Sequence, residues 1–541
     1  MIYIVLVISI VVYAIVYCRR RYQSPLASAP LAPTSSLLIK YLGIVPPPQN
    51  SDQKDYLSEF LIRVGQDPAL SPISVCWSIL GKPLVIVNTL QGVRNVLIDG
   101  QARSKSKEGG VPNVQRGNLI RLIQNLVFGG PSLNNVIGEE WRWRRHVLLP
   151  SFQPKQLVPK LMPYVASRTL TLLDVFDQHA QQGTTIELDS VFMDLTMDVI
   201  NFYLYGRDDL DYTIVNGREN LKQLGLGFQS LEAWLPFGIN KTNWAQREFK
   251  PSRDRLKAFI HDALALSLQD YLAMKKQYDH QNVPEKQRSY LSVAACAFAS
   301  EQYDKDNENL VNDLLSLTFA GYDTTAHTLA FTFAELARNP SLQDELFAQV
   351  RQVLGPPPIA PEQITADKLA RMPLVTAVYR ETLRKYPAVV FIPVHVNKDT
   401  MVEDVVVPAG SEIWCNVRGI QMNPAVFPKP ETYDPKRWLR PEDLQEGQGD
   451  HVFDNLSSGH ASHATTITPE TQYNFPDLSF TMGQHACIGK NLATLELRTV
   501  IACTMNQFTC RLKDKSVIDT KVVLTTKPRY GVHVHFERRK E

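Results

Sequence analysis

The residues best suited to chemistry lie in one loop, Phe480-Thr481-Met482-Gly483-Gln484-His485-Ala486-Cys487-Ile488-Gly489. It offers one thiolate and no second ligand nearby, so it makes a poor zinc site. A lone cysteine in a glycine-containing loop suits a different task, which is reaching a large planar metal cofactor. Gly483 and Gly489 allow close backbone approach, so that main-chain N–H groups can point at the sulfur. Such donors spread the charge of a thiolate and tune the metal it holds. His485 can offer an N–H to a cofactor carboxylate, and Phe480 can pack on the cofactor face beside the sulfur.

A second set sits inside an apolar helical stretch, residues 309–338, which stops at Asn339-Pro340. At 1.5 Å per residue such a helix spans on the order of 45 Å, enough to cross a domain. Its middle reads Ala320-Gly321-Tyr322-Asp323-Thr324-Thr325. A glycine there costs about 1 kcal/mol relative to alanine. Its small size would leave room for a cofactor or a bound gas. Asp323 and Thr324 can bond backbone or water and open the helix locally. Together they form an acid–alcohol pair suited to passing protons singly. Elsewhere Trp141 and Arg145 stand four apart on one helix face, and both are N–H donors fit for a carboxylate pair. Glu381 and Arg384 stand three apart in a helix opened by Met372-Pro373 and closed by Tyr386-Pro387.

In their order these stretches resemble the cytochrome P-450 superfamily. The cysteine loop fills every fixed position of Phe-x-x-Gly-x-(Arg/His)-x-Cys-x-Gly, with His485 in the Arg/His slot. Residues 320–325 match (Ala/Gly)-Gly-x-(Asp/Glu)-Thr-(Thr/Ser). Trp141 and Arg145 match Trp-x-x-x-Arg, Glu381 and Arg384 match Glu-x-x-Arg, and Arg437 follows Tyr433 where the family usually has Phe. The resemblance covers residues 53–536. It implies a mainly α fold with a smaller β-rich part and haem b between the long central helix and the cysteine loop. Cys487 would be the axial thiolate on iron. Trp141, Arg145, Ala320, Gly321, Phe480, Gly483, His485 and Gly489 would line or hold the haem. His395 stands where the family often places a propionate-binding arginine. Glu381, Arg384 and Arg437 would form a structural network. Asp323 and Thr324 would serve catalysis, Thr324 by a hydrogen bond to oxygen in the groove and Asp323 by bringing protons from solvent. Phe319, Val390, Phe391 and Thr525 are the expected pocket residues.

The remaining elements can be placed around these landmarks. Residues 73–80 and 84–87 flank Gly81-Lys82-Pro83 and predict a hairpin. Residues 103–125 are irregular, and the resemblance makes them a cover over the substrate pocket. Residues 389–396 read as a strand near the haem. Residues 441–475, long and polar, predict a disordered surface insertion. Residues 522–526 and 532–536 predict a closing hairpin with its turn near Thr525.

At the N-terminus, residues 1–17 carry no charged side chain, and Arg19, Arg20 and Arg21 follow. That length is near the lower limit for crossing a bilayer. Positive charge after the apolar run favours an uncleaved single-pass anchor over residues 1–18, with the body cytosolic. A basic, proline-rich linker over 19–50 would hold the body, residues 51–541, off the membrane. The endoplasmic reticulum is the implied membrane. The seven cysteines lack disulfide-like spacing and suit a reducing compartment. A net charge of +2 does not predict nucleic-acid binding.

The activity implied is insertion of one atom of O2 into a lipophilic small molecule. No flavin or nicotinamide fingerprint is present, so electrons would come from a separate NADPH-cytochrome P-450 reductase, with cytochrome b5 as a further donor. Arg142, Arg144 and Lys490 are the expected docking face. Two other readings stand beside it. One is a haem-thiolate isomerase or dehydratase needing no reductase, against which Asp323-Thr324 counts. The other is a non-catalytic haem-binding membrane protein, against which the full motif set counts.

Overall fold

The computed structural model describes residues 2–32, 55–77, 82–101, 112–208, 242–277, 291–303, 308–440, 469–514 and 518–540, without the side chains of 2–10, 56, 119–120, 242–249, 277, 469–471 and 523. The expected pocket cover at 103–125 lies outside these up to residue 111; beyond it a short strand, Val114–Arg116, leads into a helix, Asn118–Phe128.

The central helix runs from Glu308 to Arg338. Nearly every side chain from Leu310 to Leu336 is buried, which explains why apolar residues lie all round it and why polar ones such as Asp313, His327 and Glu335 are paired. It ends where Pro340, lacking an N–H, starts the next helix, Pro340–Leu354. The Leu188–Tyr205 helix lies along it. A β-carbon on Gly321 would sit 2.7 Å from Cγ1 of Ile200 on that neighbour. The small residue therefore serves a close helix contact. The helix is also unbroken at Asp323 and Thr324. Thr324 donates to the Ala320 carbonyl at 2.9 Å, back-bonding one turn instead of opening the backbone.

The helix Gly138–Leu148 is tied to the central helix by buried charge. Arg144 donates to Asp313 at 3.1 Å and to Glu140 at 2.6 Å, while Tyr303 donates to Asp313 at 2.8 Å. Burial still pushes the Asp313 carboxyl up to about 6. Arg144 is fully buried, so it cannot belong to a docking face. Arg142 pairs with Glu139, and Lys490 lies 3.0 Å from Asp477. The expected basic face is thus largely engaged within the chain.

A five-stranded sheet has the order Ile73–Trp77, Pro83–Val87, Glu412–Cys415, Ile392–Val396, Val114–Arg116. The first two strands form the expected hairpin, with Ile73 opposite Val87. Its outer edge is covered by the chain preceding it. Ala32 N–H donates to the Val75 carbonyl and Val75 N–H to that of Pro30, and Leu26 is fully buried. Residues 24–32 therefore lie on the body, where a spacer was expected. Residues 33–54 are outside the described set.

The C-terminal pairing also departs from expectation. Thr520–Val523 pairs with Thr525–Pro528, and His533–Arg538 pairs with Phe508–Leu512 and Ile186–Glu187. The two stretches read as one hairpin belong to separate sheets. The expected insertion shrinks as well. Residues 441–468 lie outside the described set, but Pro469–Asn474 is a 3-10 helix, and Phe475 is buried edge-on against Phe427 at 4.9 Å.

The helix Ile2–Tyr22 carries its three arginines in the last turn. Among the described residues no helix is long and apolar enough to cross a membrane. The single-pass anchor expected over residues 1–18 finds no support there.

Candidate haem site

The cysteine loop is built around one obligatory glycine. Gly483 has φ +72°, and a β-carbon on it would collide with the Leu97 carbonyl oxygen. A short 3-10 turn, Gly483–His485, follows, and Cys487 N–H donates to the Phe480 carbonyl at 2.8 Å, closing the loop. Cys487 stands just before the helix Lys490–Gln507, whose first turn offers free N–H groups and a partial positive charge. At Gly489 the backbone N–H points at the sulfur, while an added β-carbon would sit 3.9 Å from that sulfur, an ordinary contact.

Cys487 is exposed, yet protein encloses it, so it faces an interior opening and not the outer surface. That enclosure pushes the thiol up. Hydrogen bonds from the Gly489 and Lys490 N–H groups, with the charges of Arg145 and Lys490, pull it back toward the anion. Phe480 lies beside it, under the Lys490 ammonium at 5.6 Å. Ala320 is the counterpart on the central helix, exposed between buried Phe319 and half-buried Gly321.

Whether a haem fits is decided by the polar groups the fold leaves wanting. Trp141 and His485 rings lie 3.9 Å apart by centroids. The Trp141 indole nitrogen and His485 Nδ1 are buried with no partner. Burial, with Arg116 and Arg145 nearby, pushes His485 down to about 2, so it is neutral and can offer one N–H. Arg145 donates to the Ala486 carbonyl at 2.8 Å. Arg116, on the strand Val114–Arg116, donates to the Asn134 carbonyl. Burial lowers it to about 10, and its neighbours Arg145 and Arg121 push the same way. Among the described residues neither Arg116 nor Arg145 has a carboxylate partner. Two half-buried arginines without a carboxylate partner among the described residues, beside an indole nitrogen and an imidazole nitrogen that have no hydrogen-bond partner there, form a hole for anions, which the two carboxylates of a haem would fill. The residues fit the group.

Nothing in the local spacing of Arg116 marks it in the sequence; it lies on the strand paired with that of His395. His395, expected in this role, instead faces Glu412 at 2.8 Å across the neighbouring strand. Arg116→Ala is expected to lower haem retention during gel filtration several-fold while the helical circular dichroism stays unchanged. Full retention would remove Arg116 from the site.

The structural network assembles around Glu381, which is fully buried. Arg384 reaches it with two parallel bonds at 2.8 and 2.9 Å. Arg437, Trp438 and the Asp434 N–H complete its shell at 3.2, 2.8 and 2.9 Å. Arg384 also donates to the Gln421 and Pro430 carbonyls. The helix Pro373–Lys385 is thereby stapled to the loop that leads toward Cys487.

Of the expected pocket residues, Phe391 stacks on Trp414 at 4.1 Å and Val390 is buried in a side core with Phe60 and Leu61. Phe319 packs edge-on against Phe128 at 6.2 Å. Thr525 donates to the Asp323 carboxylate. Asp323 and Thr324 thus turn to different partners and do not bond each other.

The family model described as Cytochrome P450 matches residues 72–534. The chain is 27% identical over 387 residues to "Cytochrome P450 monooxygenase acrF" of Aspergillus aculeatus, covering 68% of this chain and 72% of that one. It is 24% identical to "Cytochrome P450 4X1" of Rattus norvegicus, covering 76% of each. The solved structure of "Retinoic acid bound cyanobacterial CYP120A1" superposes with a TM-score of 0.63 over 86% of this chain and 92% of that one, at 18% identity, a likeness of fold. With a thiolate loop, an anion hole for haem carboxylates and a match that spans most of its length, this chain belongs to the cytochrome P450 family and is a haem-thiolate monooxygenase.

Proposed function

We propose that this monooxygenase inserts one oxygen atom of O2 into a C–H or C=C bond of a lipophilic small molecule. The other atom leaves as water, with two electrons drawn from NADPH through a separate membrane reductase and with cytochrome b5 as a further donor. The observation that carries this reading is Thr324 one turn beyond exposed Ala320, on a helix otherwise buried. When bound, the haem supplies the redox chemistry of oxygen activation, which a cysteine thiolate biases toward O–O cleavage.

The chain's own residues then have separable tasks. Cys487, with the N–H groups behind it, holds the iron. Arg116, Trp141, Arg145 and His485 hold the two carboxylates. Ala320, exposed on the central helix, leaves space in the groove. The Thr324 hydroxyl proton is engaged by the Ala320 carbonyl, so its oxygen is an acceptor toward the groove. It would keep a proton there long enough for water to be formed. Asp323 is the acid of the groove. Burial alone would raise it, but the His327 charge, hydrogen bonds from His327 and Thr525, and Lys527 hold it below the usual carboxylate range.

Association with a lipid surface, which we take to be the cytosolic face of the endoplasmic reticulum, is supported by exposed Val11, Val12, Ile15 and Val16 beside Arg19–Arg21. Reconstitution with reductase in phospholipid vesicles tests the whole reading. NADPH oxidation should rise with a substrate chosen by its haem spin-state shift. Thr324→Ala should keep haem and substrate binding but release most of the consumed oxygen as peroxide. Removing residues 1–22 should lower the vesicle-bound fraction while leaving the pigment intact. Tight coupling in Thr324→Ala, or turnover without reductase, would defeat the mechanism.

A further inference from the structure

The partners of Asp323 lie outside the motif that contains it. One turn on, His327 Nε2 stands 3.3 Å from one Asp323 oxygen. The other face of the same ring, Nδ1, stands 2.6 Å from Asp189. Asp189 lies in the first turn of the Leu188–Tyr205 helix, capped by Glu187, whose carboxylate accepts from the Asp189 and Ser190 N–H groups. The exposures of these side chains differ in an informative way. The imidazole is 4% exposed, and each carboxylate is 13% exposed. A sealed ring thus joins two carboxylates that each retain an opening.

Two ionised carboxylates on opposite ring nitrogens are both satisfied only when both nitrogens donate, which only imidazolium can do. A charge in the middle of a buried helix is costly unless it is paired on every side. Packing alone would be better served at this position by leucine, so the array calls for another explanation. We propose that His327 is a positioning residue for the reaction's proton supply: held by Asp189, it fixes the rotamer and the charge of Asp323. The inference rests on the reading of Asp323 as the acid of the groove. His327 keeps both protons throughout; it orients Asp323 as a carboxylate orients a zinc-bound histidine, with the charges exchanged. Thr525 supplies the second restraint on Asp323.

The groups that face the array from each packed element are Asp323 and Tyr322 on the central helix, Asp189 and Glu187 at the start of its neighbour, and Thr525 and Lys527 on the C-terminal hairpin. Burial would lower His327, but Asp323 and Asp189 raise it to about 10, and burial keeps the Tyr322 phenol neutral. A group raised on folding stabilises fully below its unfolded value, and the contribution is lost as pH rises through its folded value. The ring therefore stays charged across the working range.

The test uses full-length holoenzyme with carbon-13-labelled histidine, reduced and bound to carbon monoxide so that the iron is diamagnetic. The resonance assigned by its absence in His327→Gln should keep its imidazolium position from about pH 6 to 9, whereas an unperturbed histidine titrates near 6.5. In Asp189→Asn it should titrate inside that window. In reconstituted turnover His327→Leu should release a several-fold larger share of oxygen as peroxide, with a new ionisation on the alkaline side of the acid range as Asp323 loses its counter-charge. Asp189→Asn should move the same way by less. A wild-type resonance that titrates near 6.5, or wild-type coupling and pH profile in His327→Leu at full haem content, would overturn the proposal. If the resonance stays charged but Asp323→Asn couples normally, it is the reading of Asp323 that fails, and with it the task assigned to His327.

Discussion

Cys487→Ala is expected to abolish the long-wavelength absorbance of the reduced carbon-monoxide complex and to remove monooxygenase turnover, while the protein remains folded. The two halves of that result have separate causes. The loop is held by main-chain bonds, Cys487 N–H to the Phe480 carbonyl and Ala486 N–H to that of Gly483, and by Gly483 in its left-handed conformation. None of these needs the sulfur. The neighbouring anion hole would still bind the carboxylates of the porphyrin, so pigment should be retained in part. What disappears is the thiolate's electron donation to iron, which favours O–O cleavage. Difference spectroscopy of the reduced protein with carbon monoxide reads this directly. An unchanged spectrum would mean that iron is held by another side chain, and the assignment of the loop would fall.

Glu381→Ala and Arg384→Ala should each cost stability on the order of 3–5 kcal/mol, because each deprives a fully buried charge of its bidentate partner. Both side chains are fully buried, and their two parallel bonds are supported by the Trp438 indole, the Asp434 N–H and two carbonyls. A loss of that size is a large share of the roughly 5–15 kcal/mol that keeps a native protein folded. The expected yield is a poorly soluble protein with little bound haem. Replacing both together by leucine and methionine should be milder than either single change, since neither member of the fully buried pair is left without the other, and the charge that loses a carboxylate, Arg437, also bonds carbonyls at the surface. Arg437→Ala should cost less, because Arg437 contributes one bond of 3.2 Å to Glu381 and the Arg384 pair survives. Chemical denaturation of the haem-loaded protein measures all four. Single variants as stable as the parent would show that the pair is not what holds this side together.

The two residue sets behind these predictions are legible in the sequence. A loop that must carry a sulfur needs glycine where Gly483 turns, and a helix that must pair Glu381 with Arg384 needs them three apart. Both demands act between residues close along the chain, so they leave their mark as spacing. The long stretch that forms Glu308–Arg338 is legible for a similar reason, since a helix surrounded by protein carries apolar residues all round and few breakers.

Other features were decided elsewhere. Gly321 is small because Ile200 on another helix lies against it. Arg144 looked like one more surface cation in a basic run until Asp313 was found to bury it. Arg116 and His395 lie on adjacent antiparallel strands, and only the register, with Gln115 opposite His395, shows which side chain joins the anion hole. Asp189 and His327 sit in different helices, and each alone resembles an ordinary polar residue near a helix end or on a helix face.

The sequence by itself determined the metal-binding chemistry of this protein, its family and the local geometry of its thiolate. Tertiary structure alone decided which charges are buried, which strand supplies the second arginine and what stands behind Asp323. The physical reason is one of range. Ligand spacing and helix pairing are short-range constraints that the chain order must record. Desolvation and cross-helix contact depend on segments far apart in sequence, whose approach is set only when the whole core packs.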